Sequence, residues 1–218
     1  MKPDARSVGG QPDIGTRRVL VHIPIAHSQV DMGSYGERVR RAYVEQKGAD
    51  AWRESRLAID AFWDALENAI LALDIDFGRV RLYQDTLPVC GREADIVGDL
   101  AATGAANYRI LFELMGRGAA LEGTENPELL LREYERLKAD QTETGPSASQ
   151  ETGAERHDGT TELVRARDRF IADRIDRTLR PGEIGLLFIG ALHDVAEFLP
   201  GTINIMSLEE FRVRPTGH

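Results

Sequence analysis

Hydrophobic residues fall along the chain in two patterns, short continuous runs and longer stretches with helical spacing. Continuous runs at residues 17–26, 80–83 and 184–189 are typical of strands that a parallel sheet buries on both faces. Shorter runs at 119–121 and 202–206 indicate two further strands. The pattern therefore predicts about five strands.

Between these runs, apolar residues recur every three or four positions, which predicts helices. The spacing is clearest over residues 49–73. Asn126 followed by Pro127 predicts the start of a helix that runs to about residue 138, because Asn caps helices well and Pro fits their first turn. The other predicted helices cover residues 34–46, 93–102, 107–115 and 161–179, with a short one between His193 and Phe198.

Strands and helices that alternate along a chain predict an α/β fold. We expect a mostly parallel sheet of about five strands flanked by helices, in a single domain that spans residues 17–210. Residues 1–16 are predicted to be a flexible leader and residues 211–218 a tail. Residues 141–159 are polar and lack periodicity. We predict a flexible, disordered insertion there, because low hydrophobicity cannot offset the entropy of ordering.

The composition narrows the range of partners. A formal net charge of −9 works against a broad nucleic-acid surface or binding to an anionic membrane, since both require basic patches. No apolar stretch approaches the roughly 20 residues of a membrane-spanning helix, and residues 1–15 lack a signal-peptide core. Cys90 is the single cysteine, which fits a reducing cytoplasm. We therefore expect a cytoplasmic protein without nucleic-acid or membrane partners.

Two of the predicted strands lead into a histidine. His27 closes the first run, and His193 follows the run at 184–189 in the sequence Gly190-Ala191-Leu192-His193. The carboxyl ends of parallel strands meet at one edge of a sheet, where ligands bind. Imidazole can bind a transition metal or transfer protons near neutral pH. One such histidine is more often structural, but two at equivalent positions favour a shared site. His22, inside the first run, is interpreted as a core or edge histidine.

Several carboxylates follow the predicted strands. Asp31 lies in a turn after His27, where it is either a metal ligand, a carboxylate that orients His27, or a turn former. Glu122 follows the third strand and could complete a metal site of two histidines and one carboxylate, or act as a general base on water. Glu125 is better explained by favourable charge near a helix N-terminus. Asp85, after the second strand, is a further candidate.

The C-terminal part of the chain resembles a known superfamily. Arg167-Asp168 on a predicted helix precedes Gly190-Ala191-Leu192-His193, and a last strand follows Pro200-Gly201. This order is similar to that in the erythromycin esterase-like, ChaN-like and TraB/Tiki proteins. The first motif here, Pro24-Ile25-Ala26-His27, lacks the Gly of that superfamily's usual Gly-x-x-His. The resemblance implies an α/β fold and a site formed by His27, Glu122, Arg167 and His193.

The resemblance also implies an activity, because members of the TraB/Tiki and esterase branches are hydrolases. We therefore expect a metal-assisted hydrolase of peptidase or esterase type that acts on a small-molecule or peptide substrate. Its divalent metal would be held by His27, His193, Glu122 and Asp31. Arg167 would bind an anionic group of the substrate or stabilise developing negative charge. Two alternatives stay open: a non-catalytic sensor or binding protein for a small anionic ligand, and a protein that binds haem or iron, as ChaN-like members do.

Overall fold

A computed structural model describes residues 17–25, 34–142 and 153–213. Its five strands form one sheet in which every neighbouring pair is parallel, in the order β3-β2-β4-β1-β5. The predicted α/β fold with about five strands is therefore confirmed. The strands are β1 (Arg18–Ile25), β2 (Val80–Gln84), β3 (Ala120–Glu122), β4 (Ile184–Gly190) and β5 (Ile203–Ser207).

Seven helices flank the sheet within the described ranges. Among these residues, no helix is both long enough and apolar enough to cross a membrane. The helices are α1 (Ser34–Lys47), α2 (Ala49–Leu71), α3 (Glu93–Ala102), α4 (Ala106–Gly116), α5 (Pro127–Thr142), α6 (Gly153–Thr178) and α7 (Leu208–Val213).

The structure differs from the sequence-based boundaries at two places. Helices α5 and α6 extend into the segment predicted as an insertion, so that only 143–152 of its residues lie outside the described part of the chain. Helix α7 was not predicted, and it crosses the expected end of the domain at residue 210. Phe211 on α7 is buried against the core, which explains why the fold continues past that point.

The inner strands β1, β2 and β4 bury most of both faces, as their apolar runs predicted, whereas the edge strands β3 and β5 are partly exposed. Along β4, Leu186 and Phe188 belong to a core that includes side chains of α2, α3, α4 and α7. The alternate residues Leu187 and Ile189 belong to a second core, to which α6 contributes Ile171, Ala172 and Ile175. All seven residues of β4 are buried, because this strand lies in the middle of the sheet between β2 and β1.

Side chains of the neighbouring strands close over the backbone at Gly185 on β4. A Cβ atom placed there would lie 2.6 Å from a methyl carbon of Leu20, 3.2 Å from the ring of Tyr83 and 3.4 Å from Leu179. These neighbours are themselves buried and have little room to shift. We therefore expect Gly185→Ala to lower the free energy of unfolding by about 1–3 kcal/mol, measured by urea denaturation.

Gly116→Ala is the matched control for this substitution. Gly116 ends α4, and a Cβ atom there would meet no heavy atom within 4 Å. Because Ala restricts the unfolded chain more than Gly does, this variant should be neutral or slightly more stable. Equal destabilisation by both variants would contradict the packing argument.

Candidate functional site

Asp85 lies at the point where β2 and β4 end side by side. It follows β2 directly, and it stands two residues after Tyr83, so that its side chain lies on the α6 side of the sheet. Its backbone N–H donates to the carbonyl of Phe188 at 2.8 Å. Its Oδ2 accepts a hydrogen bond from the backbone N–H of Gly190 at 3.0 Å. The carboxylate is thus tied to the carboxyl end of β4.

The next residue, Thr86, lies in a tight turn in which the backbone N–H of Leu87 donates to the carbonyl of Gln84 at 3.2 Å. Its φ of 66° lies in the left-handed region, which is uncommon for a β-branched residue. Backbone conformations of this kind persist where the surrounding structure fixes them, and they concentrate at functional sites.

Glu125 is brought beside Asp85 because the loops after β2 and β3 continue to pair. The backbone N–H of Glu125 donates to the carbonyl of Leu87 at 2.9 Å, and the N–H of Val89 donates to the carbonyl of Glu125, also at 2.9 Å. The hydroxyl of Thr124 accepts from the N–H of Gln84 at 3.0 Å. The Glu125 side chain is completely buried as a result.

Helix α5 then begins as the sequence predicted. The side-chain oxygen of Asn126 accepts hydrogen bonds from the backbone N–H groups of Glu128 at 2.8 Å and Leu129 at 3.3 Å, which makes Asn126 the N-cap. Two turns further along α5, Glu133 reaches the same buried region as Glu125.

Arg167 of α6 binds three carboxylates at once. Its Nε and Nη2 donate to the two oxygens of Glu125 at 3.2 and 2.5 Å. Nη2 also donates to Asp85 at 2.9 Å, and Nη1 donates to Glu133 at 2.6 Å. Burial opposes the charge of this guanidinium, but its hydrogen bonds to Glu125 and the nearby carboxylates outweigh that effect and raise the pKa of Arg167. Arg167 is therefore a buried cation with its partners in place.

His193 is oriented by Asp168, the residue next to Arg167 on α6. The Nδ1–H of His193 donates to Oδ1 of Asp168 at 2.5 Å, and the backbone N–H of Asp194 donates to Oδ2 at 2.9 Å. This leaves Nε2 facing Oδ2 of Asp85 at 3.7 Å. Burial lowers the pKa of His193, but the hydrogen bond to Asp168 and the charge of Asp85 more than compensate and raise it.

Together these elements place Asp85, Glu125 and His193 within reach of one ion. Each offers a ligand atom, and the three atoms all lie within 4.8 Å of one another. Burial raises the pKa of Glu125, although its hydrogen bonds to Arg167 oppose the shift. With Glu133 and Asp168, four carboxylates surround one guanidinium and one imidazole. The cluster therefore contains twice as many carboxyl groups as basic side chains.

The predicted site residues have different positions in the structure. Arg167 and His193 lie in the cluster, whereas Glu122 does not belong to it. Glu122 ends β3 and forms ion pairs with Arg81 of β2 and with Arg174 of α6, the latter at 3.4 Å. Glu125 and Asp85 take the place expected for Glu122, because the loops beyond the strands carry them to His193.

Two further predicted ligands, His27 and Asp31, lie outside the described residues. Arg167 has a role other than the one expected from the resemblance. Because its N–H groups donate to Asp85, Glu125 and Glu133, it organises carboxylates of the protein instead of presenting a free cation to an anionic substrate. Glu133 gave no signal in the sequence, since it lies within an ordinary amphipathic helix.

Comparisons of the chain with known protein families, curated proteins and solved structures found no match. A functional proposal for the cluster at the carboxyl ends of β2, β3 and β4 therefore depends on the geometry and charge of the cluster itself.

The ion pairs of Arg167 should dominate the stability of this region. Arg167→Met leaves Asp85 and Glu125 buried without their cation, so we expect the free energy of unfolding to fall by about 3–5 kcal/mol. Glu125→Gln added to Arg167→Met should recover part of that loss, because it removes one of the unpaired charges. Urea denaturation at pH 7 measures both effects.

Arg109→Met provides the matched control, because Arg109 forms an exposed ion pair with Glu67 at 3.0 Å. Its removal should cost at most about 1 kcal/mol. If Arg167→Met and Arg109→Met lower the free energy of unfolding equally, the buried ion pairs of Arg167 do not dominate the stability of this region.

His22 should make the folded protein sensitive to acid. It lies half-buried on β1, where burial lowers its pKa although the charge of Asp194 opposes the shift. Below about pH 6.5, His22 binds a proton more readily in the unfolded chain than in the folded protein. The free energy of unfolding therefore falls as the pH falls. Between pH 7 and 5, His22→Gln should lose less stability than the parent protein in urea denaturation. Parallel curves for the two proteins would contradict this prediction.

Proposed function

We propose that the protein is a metal-assisted hydrolase whose divalent ion is held by Asp85, Glu125 and His193. The observation that carries the proposal is the convergence of three ligand atoms, from the ends of three neighbouring strands, within 4.8 Å. His193 was already a metal ligand in the site predicted from the sequence. In the ligand set proposed here, Glu125 and Asp85 take the place of Glu122.

The geometry around His193 supports metal binding. The distance of 3.7 Å between Nε2 and Oδ2 of Asp85 is too long for a direct hydrogen bond. It suits two atoms that each bind one ion at about 2.0–2.2 Å. A histidine whose other ring nitrogen donates to a carboxylate, as His193 does to Asp168, is the arrangement that commonly orients a metal ligand. Mixed imidazole and carboxylate donors suit Zn²⁺, Mn²⁺ or Fe²⁺.

The residues of the chain have separate tasks in this proposal. Arg167 fixes the orientation of the Glu125 and Asp85 carboxylates, and Asp168 fixes the tautomer of His193. When bound, the ion would lower the pKa of water and polarise the bond to be cleaved. The excess of carboxylates over cationic groups offsets the repulsion between Arg167 and a dication.

The substrate belongs to the proposal as well. We propose an ester or amide bond in a small molecule or peptide, in keeping with the resemblance to the TraB/Tiki and esterase branches. A cytoplasmic location is supported by Cys90, which is exposed as a free thiol.

Metal binding tests the ligand set directly. After removal of bound ions with a chelator, titration calorimetry with Zn²⁺ and Mn²⁺ should show one site in the parent protein. His193→Ala and Glu125→Gln should each weaken binding by at least about 10-fold. Glu122→Gln is the control and should leave the affinity unchanged, because Glu122 pairs with Arg81 and Arg174. Lost binding in Glu122→Gln alone would refute the assigned ligands.

Turnover tests the activity separately from metal binding. The metal-loaded protein is assayed against a panel of chromogenic esters and peptides, with and without chelator. Hydrolysis that disappears on chelation and in Glu125→Gln supports the proposal. Hydrolysis that survives both treatments refutes the metal, and tight metal binding without any turnover refutes the hydrolase.

A further inference from the structure

We propose that one face of α6 positions His193 by holding the whole segment 193–198, and that Phe198 is a positioning residue for the site. The face consists of Arg165, Asp168 and Arg169, which we call the α6 clamp. Its geometry does not depend on the proposed function, but its effect on metal binding does.

The two ends of the segment are held by different contacts. At the start, Asp168 accepts hydrogen bonds from the ring of His193 and from the backbone of Asp194, at 2.5 and 2.9 Å. At the end, Arg165 donates to Glu197 at 2.7 Å. Residues three and four apart share one face of a helix, so a single surface of α6 makes all of these contacts.

The ring of Phe198 provides the last contact between α6 and the C-terminal end of segment 193–198. The guanidinium carbon of Arg165 lies 5.4 Å from the ring centroid, and that of Arg169 lies 5.0 Å from it. Both distances fall within the range of favourable cation–π contacts. Two cations of α6 therefore hold one aromatic ring that is five residues from His193.

The other anchors of the segment hold its backbone and its apolar side: the N–H of His193 donates to the carbonyl of Gly190 at 3.2 Å, and Val195 and Phe198 pack in or against the second core. Residues Val195–Phe198 form a 3₁₀ turn in which Val195 is the one buried residue. Asp194 precedes this turn without a side-chain cap, and Leu192 on the other side of His193 is 85 % exposed. Because none of these anchors contacts the ring of His193, the contacts with α6 set the orientation of the imidazole.

The position of the ring can be read without any metal. NMR of ¹⁵N-labelled protein should show His193 with Nδ1 protonated and its ring N–H shifted downfield, a signal assigned by its loss in His193→Gln. Phe198→Leu should broaden this signal or move it toward a mixture of tautomers, whereas Phe198→Trp, which keeps an aromatic face, should preserve it. An unchanged His193 signal in Phe198→Leu would overturn the proposal.

Phe77→Leu is the matched control. Phe77 is also half-buried and lies 5.6 Å from the guanidinium of Arg117, but it precedes β2 at the opposite end of the strand from Asp85. Its loss should leave the His193 signal unchanged. If Phe198→Leu does not fold, the double variant Arg165→Met/Arg169→Met takes its place, because it changes exposed side chains. It should produce the same change in the His193 signal. A signal like that of the parent protein would again overturn the proposal.

Metal affinity then tests the connection to function. Phe198→Leu should weaken Zn²⁺ binding by about 3- to 10-fold, while Phe198→Trp and Phe77→Leu stay near the affinity of the parent. Equal affinities in Phe198→Leu and the parent would refute the effect of the clamp on the site. If the parent binds no metal, the proposed function fails, and the NMR result alone decides on the clamp.

Discussion

The buried guanidinium of Arg167 is the interaction on which the rest of the site depends. Taking Asp85 and Glu125 out of water is costly, and their mutual repulsion adds to the cost. Arg167 makes this arrangement possible by donating to both carboxylates and to Glu133. It also connects α6 to the loops after β2 and β3 and to α5. One side chain therefore sets both the charge of the cluster and the relative positions of the elements that form it.

The inner strands β1, β2 and β4 could be predicted from sequence because burial on both faces produces apolar runs. His193 and Arg167 could be identified because strand ends and charged helix positions are visible in a sequence. The choice of Glu125 over Glu122 could not be made, since it depends on hydrogen bonds between loops, such as the one from Glu125 to Leu87. Glu133 was invisible, because its partner lies 34 positions away on another helix.

Two neighbouring residues of α6 serve the cluster in different ways. Arg167 points to the carboxylates at the ends of β2 and β3, and Asp168 points to the histidine after β4. The same helix contributes Ile171 and Ile175 to the core beneath it. The packing of α6 against the sheet thus helps to set the site as well as the fold, because a shift of this helix would move Arg167 and Asp168 together.

The central position of β4 has a consequence for folding during synthesis. Strands β1 and β2 are both made early, yet neither pairs with the other, and each waits for β4 as a common neighbour. While the chain is being synthesised, the middle of the sheet is therefore missing until β4 leaves the ribosome. Until then, the apolar residues of β1 and β2 lack the strand that lies between them, and the charged cluster cannot be completed before His193 follows β4.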